Sequence, residues 1–137
     1  MVREIVHDPM LLALRSGDAS AEDLRTAADL RDTLRAHADE CVGMAANMIG
    51  VRKRIIAVSV GPLQLIMLNP VILRKSGMFT AEESCLSLRG GPRKVTRYRE
   101  IEVEYLDERM RVKRAVYTGW TAQIIQHETD HCDGVLI

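Results

Sequence analysis

Two histidines four residues apart lie on the face of the last predicted helix that should point into the protein. This inward stripe comprises Trp120, Ile124, His127 and His131, at spacings of four, three and four residues. On a helix, side chains four apart project from one face about 6 Å apart, close enough to bind one metal ion. Two buried imidazoles need partners, and a metal ion satisfies both. The sequence therefore predicts a buried, metal-binding helix.

A glutamate, Glu128, follows the first histidine and completes the motif His-Glu-Thr-Asp-His. In helices of this HExxH type, a glutamate at this position can take a proton from water bound to the metal. The motif therefore indicates metal-dependent hydrolysis. Because the motif is short, two ordinary histidines on a helix remain the alternative. The helix is expected to begin near residues 118–121 and to end at Asp133-Gly134, with Gly134 as its C-terminal cap.

A catalytic metal site of this kind usually has three protein ligands and one open position. Only residues 132–137 follow His131, which is too short for a downstream ligand motif, so we expect the third ligand upstream. Cys85 is the leading candidate, and a small buried apolar role is the alternative for it. Cys132 should point away from the metal, since it lies about 100° further round the helix. Cys41 is not excluded by the sequence.

The rest of the chain predicts one helix followed by antiparallel strands. Residues 20–42 carry an amphipathic helical stripe, with Ser20 as N-cap and Gly43 where the helix should stop. From residue 54 onward the apolar pattern indicates strands. The expected strands are a hairpin of residues 54–60 and 63–68 around Gly61-Pro62, closed by Asn69-Pro70, then residues 71–75, 101–106 and 110–116. The expected fold class is α+β, with antiparallel β-sheets packed around a central helix that carries the HExxH motif.

Length and charge limit the classes of function. The 137 residues are expected to form one domain, residues 1–137. Lys plus Arg and Asp plus Glu each total 19, and aromatic residues make up only 4%, so sequence-specific nucleic-acid binding is not expected. The chain has neither an apolar signal core nor a run of about 20 apolar residues, which predicts a cytoplasmic protein without a membrane span.

Five basic residues follow one another without an acidic residue among them: Arg89, Arg93, Lys94, Arg97 and Arg99. Such a run could steer an anionic partner, such as ribosomal RNA near a nascent chain, or bind a peptide carboxylate. A solvated, positively charged strand edge is the alternative interpretation.

Three segments taken together resemble the signatures of the peptide deformylase family. Glu83–Ser87 resembles the family's EGCLS motif, and His127–His131 resembles its HExDH motif. Cys41–Met48 is a weakened match to the GxGxAAxQ motif. The resemblance covers nearly the whole chain, with the motifs in the family's order. It implies a single deformylase-like domain that removes the formyl group from N-formylmethionyl peptides and releases formate.

The resemblance also implies roles for individual residues. The implied metal ligands are Cys85, His127 and His131, and the implied ion is Fe²⁺ or Zn²⁺. Glu128 would be the general acid/base, and the backbone N–H of Leu86 would help to hold the oxyanion. The implied partners are formylated nascent peptides, together with a transient ribosome contact.

The substrate pocket suggested by the resemblance includes Gly43, Met44 and Met48, with ordinary core packing as the alternative for the two methionines. The family has a glutamine where this chain has Met48, and that glutamine donates a hydrogen bond to the formyl oxygen. A thioether cannot donate, and losing one such donor typically costs about 10²–10³ in rate. The neighbouring amide of Asn47 should point in a different direction. In addition, Cys41 replaces the first glycine of the motif.

The substitution at Met48 leaves three hypotheses. The chain is an active deformylase, a related hydrolase that cleaves a different N-acyl group, or a non-catalytic protein that binds blocked N-termini or ribosomes. Glu128 argues against the third hypothesis, because a binding protein does not need a general base.

Overall fold

The computed structural model of the chain describes residues 1–88 and 91–137. Its strands are β1 (Gly43–Ala45), β2 (Ile55–Val60), β3 (Leu63–Glu83), β4 (Arg93–Leu106) and β5 (Val112–Thr118). Its α-helices are α1 (Pro9–Leu12), α2 (Leu24–Ala36) and α3 (Gly119–Cys132), and two short 3₁₀ helices span Ala21–Asp23 and Ala46–Ile49. None of the helices in these two ranges is long and apolar enough to cross a membrane.

The five strands form one antiparallel sheet in chain order, β1-β2-β3-β4-β5. β2 and β3 form the predicted hairpin around Gly61-Pro62, where Gly61 adopts a φ of 57° that a side chain would disfavour. β4 and β5 also pair as antiparallel neighbours, and they contain most of the predicted strands 101–106 and 110–116. The expected α+β class is confirmed, although hydrogen bonds join all of these strands into one sheet rather than several.

β3 is longer than predicted because it does not end at Asn69-Pro70. Asn69 adopts a left-handed φ of 52°, and the register of β3 against β4 shifts at this point. The Asn69 side chain accepts a hydrogen bond from the N–H of Ala19 at 2.7 Å and donates one to its carbonyl at 2.9 Å. These contacts fix a bulge that interrupts the ladder without ending the strand. The predicted strand end is wrong, and residues 71–75 are part of β3.

α2 is shorter than the helix predicted over residues 20–42. Ser20 starts this region with a capping box, as predicted. The helix then ends at Ala36, where the ring of the next residue, His37, donates a hydrogen bond to a carbonyl of the last turn. The prediction that Gly43 stops the helix is wrong, since Gly43 instead begins β1.

The sheet is covered by a helix on each face. Successive residues of β2 point to opposite faces and therefore join two different hydrophobic clusters. Ile55 packs in the cluster that contains Leu30 and Leu34 of α2, whereas Ile56 packs in the cluster that contains Ile125 of α3. Residues from Ala122 to Cys132 of α3 are buried, except for Gln123 and Asp130, which are half-buried. Polar side chains on this helix therefore need partners inside the protein.

Trp120 is the member of the predicted inward stripe that does not face inward. Its side chain is 60% exposed, whereas Ile124, His127 and His131 are all buried as predicted. α3 begins at Gly119, so Trp120 lies in the first turn of the helix, which the sheet does not cover. The prediction for Trp120 is therefore wrong, and its indole ring lies at a surface opening described below.

Candidate active site

The two histidines of α3 are buried and face each other. Their exposed fractions are 8% for His127 and 0% for His131, and their Nε2 atoms are 3.0 Å apart. Two imidazole nitrogens at this distance need a proton between them, and a metal ion that binds both takes the place of that proton. The spacing along the helix thus produces the convergence that the sequence predicts.

Cys85 completes a cluster of three possible metal ligands. It lies just beyond the end of β3, and its Sγ and the imidazole nitrogens of His127 and His131 all lie within 4.8 Å of one another. In the part of the chain that the structure describes, no second cluster of His, Cys, Asp and Glu meets this condition. One thiolate and two imidazoles suit zinc or ferrous iron, whereas magnesium and calcium prefer oxygen ligands. The donor set therefore fits one transition-metal ion.

The other two cysteines lie outside this cluster. The thiol of Cys41 donates a hydrogen bond to the carbonyl of Gly43 at 2.7 Å, and burial raises the pKa of the thiol to about 12. A protonated thiol is a poor metal ligand, because ligation requires the thiolate. Cys132 is 1% exposed and packs in the hydrophobic cluster on the α3 side of the sheet.

A charged network that the sequence analysis missed supports the ligands. Glu83 accepts hydrogen bonds of 2.7–2.8 Å from three side chains, those of His127, Gln123 and Arg97. Arg97 also binds Asp130 at 2.6 Å. A carboxylate can only accept, so Nδ1 of His127 carries a proton toward Glu83 and its Nε2 is the atom presented to a metal.

Both charges of the central Glu83–Arg97 pair are maintained despite burial. Burial by itself opposes ionisation of Glu83, but hydrogen bonds from His127 and Arg97 lower its pKa to about 2. Burial likewise opposes the charge of Arg97, but Glu83 and Asp130 raise its pKa. Glu83 and Asp130 belong to the two motifs that contain the candidate metal ligands, and these motifs are the sequence signal for the network. Arg97, which binds both acids, is distant from both in sequence.

The basic run does not form one surface. Arg97 is 3% exposed and belongs to the buried network. The guanidinium of Arg99 lies over the ring of Phe79, 4.8 Å from its centroid. Arg89 lies outside the described residues. The observed arrangement therefore supports neither a continuous basic surface nor a fully solvated strand edge.

Glu128 is a buried acid beside the ligand cluster. Its side chain is 4% exposed, and its Oε1 has no hydrogen-bond partner among the residues that the structure describes. Burial raises the pKa of Glu128 to about 7. Near neutral pH such a carboxyl group can both accept and release a proton, as a general acid/base must.

Because Gly43 has no side chain, it leaves room for the side chain of Glu128. A Cβ atom at position 43 would lie 2.8 Å from Oε2 of Glu128 and 2.6 Å from Cγ2 of Ile124. Both distances are shorter than non-bonded contacts of a real Cβ atom, so a side chain here would displace Ile124 and Glu128. The role of Gly43 is therefore to let β1 approach α3 closely.

A cavity of about 640 Å³ opens beside the ligand cluster and Glu128. Its volume lies within the range of about 300–1,000 Å³ typical of small-ligand sites. Two of the suggested pocket residues, Gly43 and Met48, line it, as does Leu86. No described residue accepts a hydrogen bond from the backbone N–H of Leu86, which leaves this donor available to an oxyanion. Met44 is instead fully buried in the cluster on the α2 side of the sheet.

Asn47 and Met48 point in different directions, as expected. Nδ2 of Asn47 donates a hydrogen bond of 2.9 Å to the backbone carbonyl of His131 and so ties the 3₁₀ helix to α3. Met48 lines the cavity, and its Sδ accepts a hydrogen bond of 3.4 Å from the N–H of Ala45. The amide of Asn47 therefore does not take the place of the glutamine side chain that Met48 replaces.

Comparisons of the sequence and of the structure with known proteins both find similarity to peptide deformylases. The family model described as polypeptide deformylase matches residues 5–137. The chain is 52% identical over 137 residues to a peptide deformylase of Clostridium beijerinckii, covering 100% of both chains. It also resembles the class I type b peptide deformylase of Acinetobacter baumannii bound to Met-Ala-Ser, with a TM-score of 0.88 at 30% identity over 99% of this chain and 97% of that one. For the peptide deformylase of Thermotoga maritima the TM-score is 0.89 at 28% identity, over 99% and 95% of the two chains.

Proposed function

The chain belongs to the polypeptide deformylase family, and we propose from this premise that its cavity removes the formyl group from peptide N-termini with a metal ion bound by Cys85, His127 and His131. As a member of this family the chain is a metalloenzyme and a hydrolase that acts on formylated nascent peptides. The observation that supports the residue assignment is the convergence of three ligand atoms beside a buried glutamate in an open cavity.

We infer that the ion is Fe²⁺ or Zn²⁺, because the proposed ligands are one sulfur and two imidazole nitrogens. When bound, such an ion supplies Lewis acidity, which lowers the pKa of water toward about 7 and polarises a carbonyl oxygen. The thiolate of Cys85 adds negative charge to the ligand set, which distinguishes the site from one built only from histidine and carboxylate.

Glu128 moves the protons of the proposed reaction. Its carboxylate accepts a proton from the attacking water as a carbon–oxygen bond forms at the formyl group. The resulting carboxylic acid then donates that proton to the peptide nitrogen as the carbon–nitrogen bond breaks, which releases formate and a free amine. The N–H of Leu86 donates to the formyl oxygen as negative charge develops on it.

Formate release tests the proposal directly. Protein purified anaerobically and loaded with Fe²⁺ or Zn²⁺ should release formate from formyl-Met-Ala-Ser, measured with a formate dehydrogenase coupled assay. Acetyl-Met-Ala-Ser, assayed for acetate, tests the alternative that the chain cleaves a different N-acyl group. Cleavage of the acetyl peptide alone would favour another N-acyl substrate. Saturable binding of the formyl peptide without turnover would favour a binding protein.

Replacing Met48 with glutamine should increase kcat/KM for formyl-Met-Ala-Ser by at least about 10-fold, and at most by the 10²–10³ that one oxyanion donor typically contributes. The new Oε1 can accept the N–H of Ala45, as the sulfur does now, which leaves Nε2 free to donate into the cavity. Met48→Leu is the matched control, because it keeps the side-chain size but adds no donor. Equal rates for the two variants would show that the missing donor does not limit this enzyme.

Two further expectations belong to the proposal. We propose that the chain acts in the cytoplasm and contacts the ribosome transiently, because formylated nascent chains are its substrates. The basic run does not form a continuous surface among the described residues, so it adds no support for the ribosome contact.

A further inference from the structure

Asn47 is a buried amide that contacts the ligand-bearing helix and has no part in the proposed reaction. It lies in the 3₁₀ helix Ala46–Ile49, and its side chain is 4% exposed. The family motif GxGxAAxQ leaves its position unspecified, so the resemblance assigns it no role. Burying an amide costs free energy unless its polar atoms are paired. The partners of Asn47 therefore indicate what it does.

The orientation of this amide is fixed by His131. Nδ2 of Asn47 donates a hydrogen bond of 2.9 Å to the backbone carbonyl of His131. A carbonyl can only accept, so the amide nitrogen faces it and the amide oxygen, Oδ1, points elsewhere. Oδ1 is shielded from solvent and accepts no hydrogen bond from residues 1–88 or 91–137. Asn47 thus presents a buried, unused acceptor beside a proposed metal ligand.

The ring of His131 has the complementary need. Its Nε2 lies 3.0 Å from Nε2 of His127, so Nε2 is the nitrogen that this ring offers to a metal ion. The other nitrogen, Nδ1, must then carry the proton of the neutral imidazole and act as a donor. This Nδ1 is also shielded from solvent and has no acceptor in the part of the chain that the structure describes. One pair of contacting residues therefore contains an unpaired donor and an unpaired acceptor.

The other histidine shows what a partner at Nδ1 achieves. Glu83 accepts from Nδ1 of His127 at 2.8 Å, which fixes the tautomer and the orientation of that ring. Asn47 is the described residue that offers His131 both a contact and a free acceptor. A buried water typically makes about three hydrogen bonds to groups that are otherwise unpaired, and two such groups are present here.

We propose that Asn47 is the positioning residue for His131: its Nδ2 holds the backbone carbonyl, and its Oδ1 accepts the Nδ1 proton through one buried water molecule. This inference rests on the proposed function, because the orientation of the ring matters only if His131 is a metal ligand. The two histidines would then be oriented by different means, His127 by a carboxylate and His131 by a neutral amide.

The first test is NMR of the imidazole N–H groups in ¹⁵N-labelled protein loaded with Zn²⁺. In the wild type, the Nδ1–H signals of His127 and His131 should both be protected from exchange with solvent. Asn47→Leu has a similar size but no polar side-chain atom, so the His131 signal should broaden or move upfield while the His127 signal stays in place. Asn47→Asp keeps an acceptor oxygen, and its charge should strengthen the hydrogen bond and move the His131 signal downfield.

The second test is Zn²⁺ affinity, measured by competition with a chelator. Asn47→Leu should bind Zn²⁺ about 10- to 100-fold more weakly than the wild type, as is typical when a residue that orients a metal ligand is lost. Thr33→Val is the matched control, because Thr33 is a fully buried residue of α2 whose hydroxyl bonds Asp29 and Arg3 away from the ligands. This variant should lose stability and keep the Zn²⁺ affinity of the wild type.

Equal losses of affinity in Asn47→Leu and Thr33→Val would show that stability alone sets the affinity, and would overturn the proposal. An exchanging Nδ1–H on His131 in the wild type would also overturn it, and this measurement needs no variant. If Asn47→Leu does not fold, an unmoved His131 signal in Asn47→Asp has the same meaning. In each of these cases the wild type would still release formate, so the proposed function would stand. A wild type that releases no formate would contradict the proposed function itself.

Discussion

Replacing Glu128 with glutamine should lower kcat for formyl-Met-Ala-Ser by about 10³-fold, because an amide of nearly the same shape can neither accept nor return a proton. Proton transfer by a positioned side chain typically contributes 10²–10⁴ in rate. The loss should appear in kcat more than in KM, since the proton moves only as the bonds change. The metal content should not change, because Glu128 is not one of the three proposed ligands.

Glu100→Gln is the matched control for this substitution. Glu100 is an exposed glutamate outside the cavity lining, so the same chemical change there should leave kcat within twofold of the wild type. Metal analysis of each variant separates a catalytic defect from a loss of the ion. If Glu128→Gln kept full metal content and lost less than 10-fold in kcat, the proton-transfer role assigned to Glu128 would be wrong.

Replacing Cys85 with alanine should lower metal affinity by more than 100-fold and reduce formate release in proportion. Loss of a residue that only supports a ligand typically costs 10- to 100-fold, and loss of the ligand itself should cost more. The remaining histidines offer only two donors, whereas a catalytic site of this kind usually has three protein ligands. Elemental analysis after equilibration with a competing chelator would measure the change in affinity.

Cys132→Ala provides the control for this experiment. Both substitutions remove one thiol, but Cys132 packs in the core and lies outside the ligand cluster. The control variant should therefore lose some stability and keep its metal. Retention of stoichiometric metal by Cys85→Ala, at the affinity of the wild type, would require another residue as third ligand.

The sequence predicted most reliably those features that depend on neighbours along the chain. The spacing of His127 and His131 placed both rings on one face of α3, and their separation in the structure agrees with that spacing. The glycine at position 61 correctly predicted a hairpin. By contrast, Asn69-Pro70 has the local signature of a turn, but contacts with Ala19 and the ladder with β4 make it a bulge.

The features that were missed depend on contacts between distant segments. The sequence predicts Arg97 as part of an exposed basic run, because nothing near it in sequence shows that Glu83 and Asp130 converge on it. The resemblance suggests both Gly43 and Met44 as pocket residues, yet adjacent residues of a strand point to opposite faces, so only one of the two can face the cavity. Helical periodicity also does not show how much of a helix the sheet covers. Trp120 lies in the first turn of α3, which the sheet does not cover, and it is therefore exposed.

Arg97 has a consequence for how metal ions enter and leave the protein. Its guanidinium joins Glu83, two residues before one proposed ligand, to Asp130, which directly precedes another. Arg97 therefore joins the segment and the helix that carry the proposed ligands, without the help of a metal ion. Loss of an ion should leave the three donors in place, so one ion can be exchanged for another without refolding. Which metal the enzyme carries in a cell would then reflect which ions are available there as well as which the site prefers.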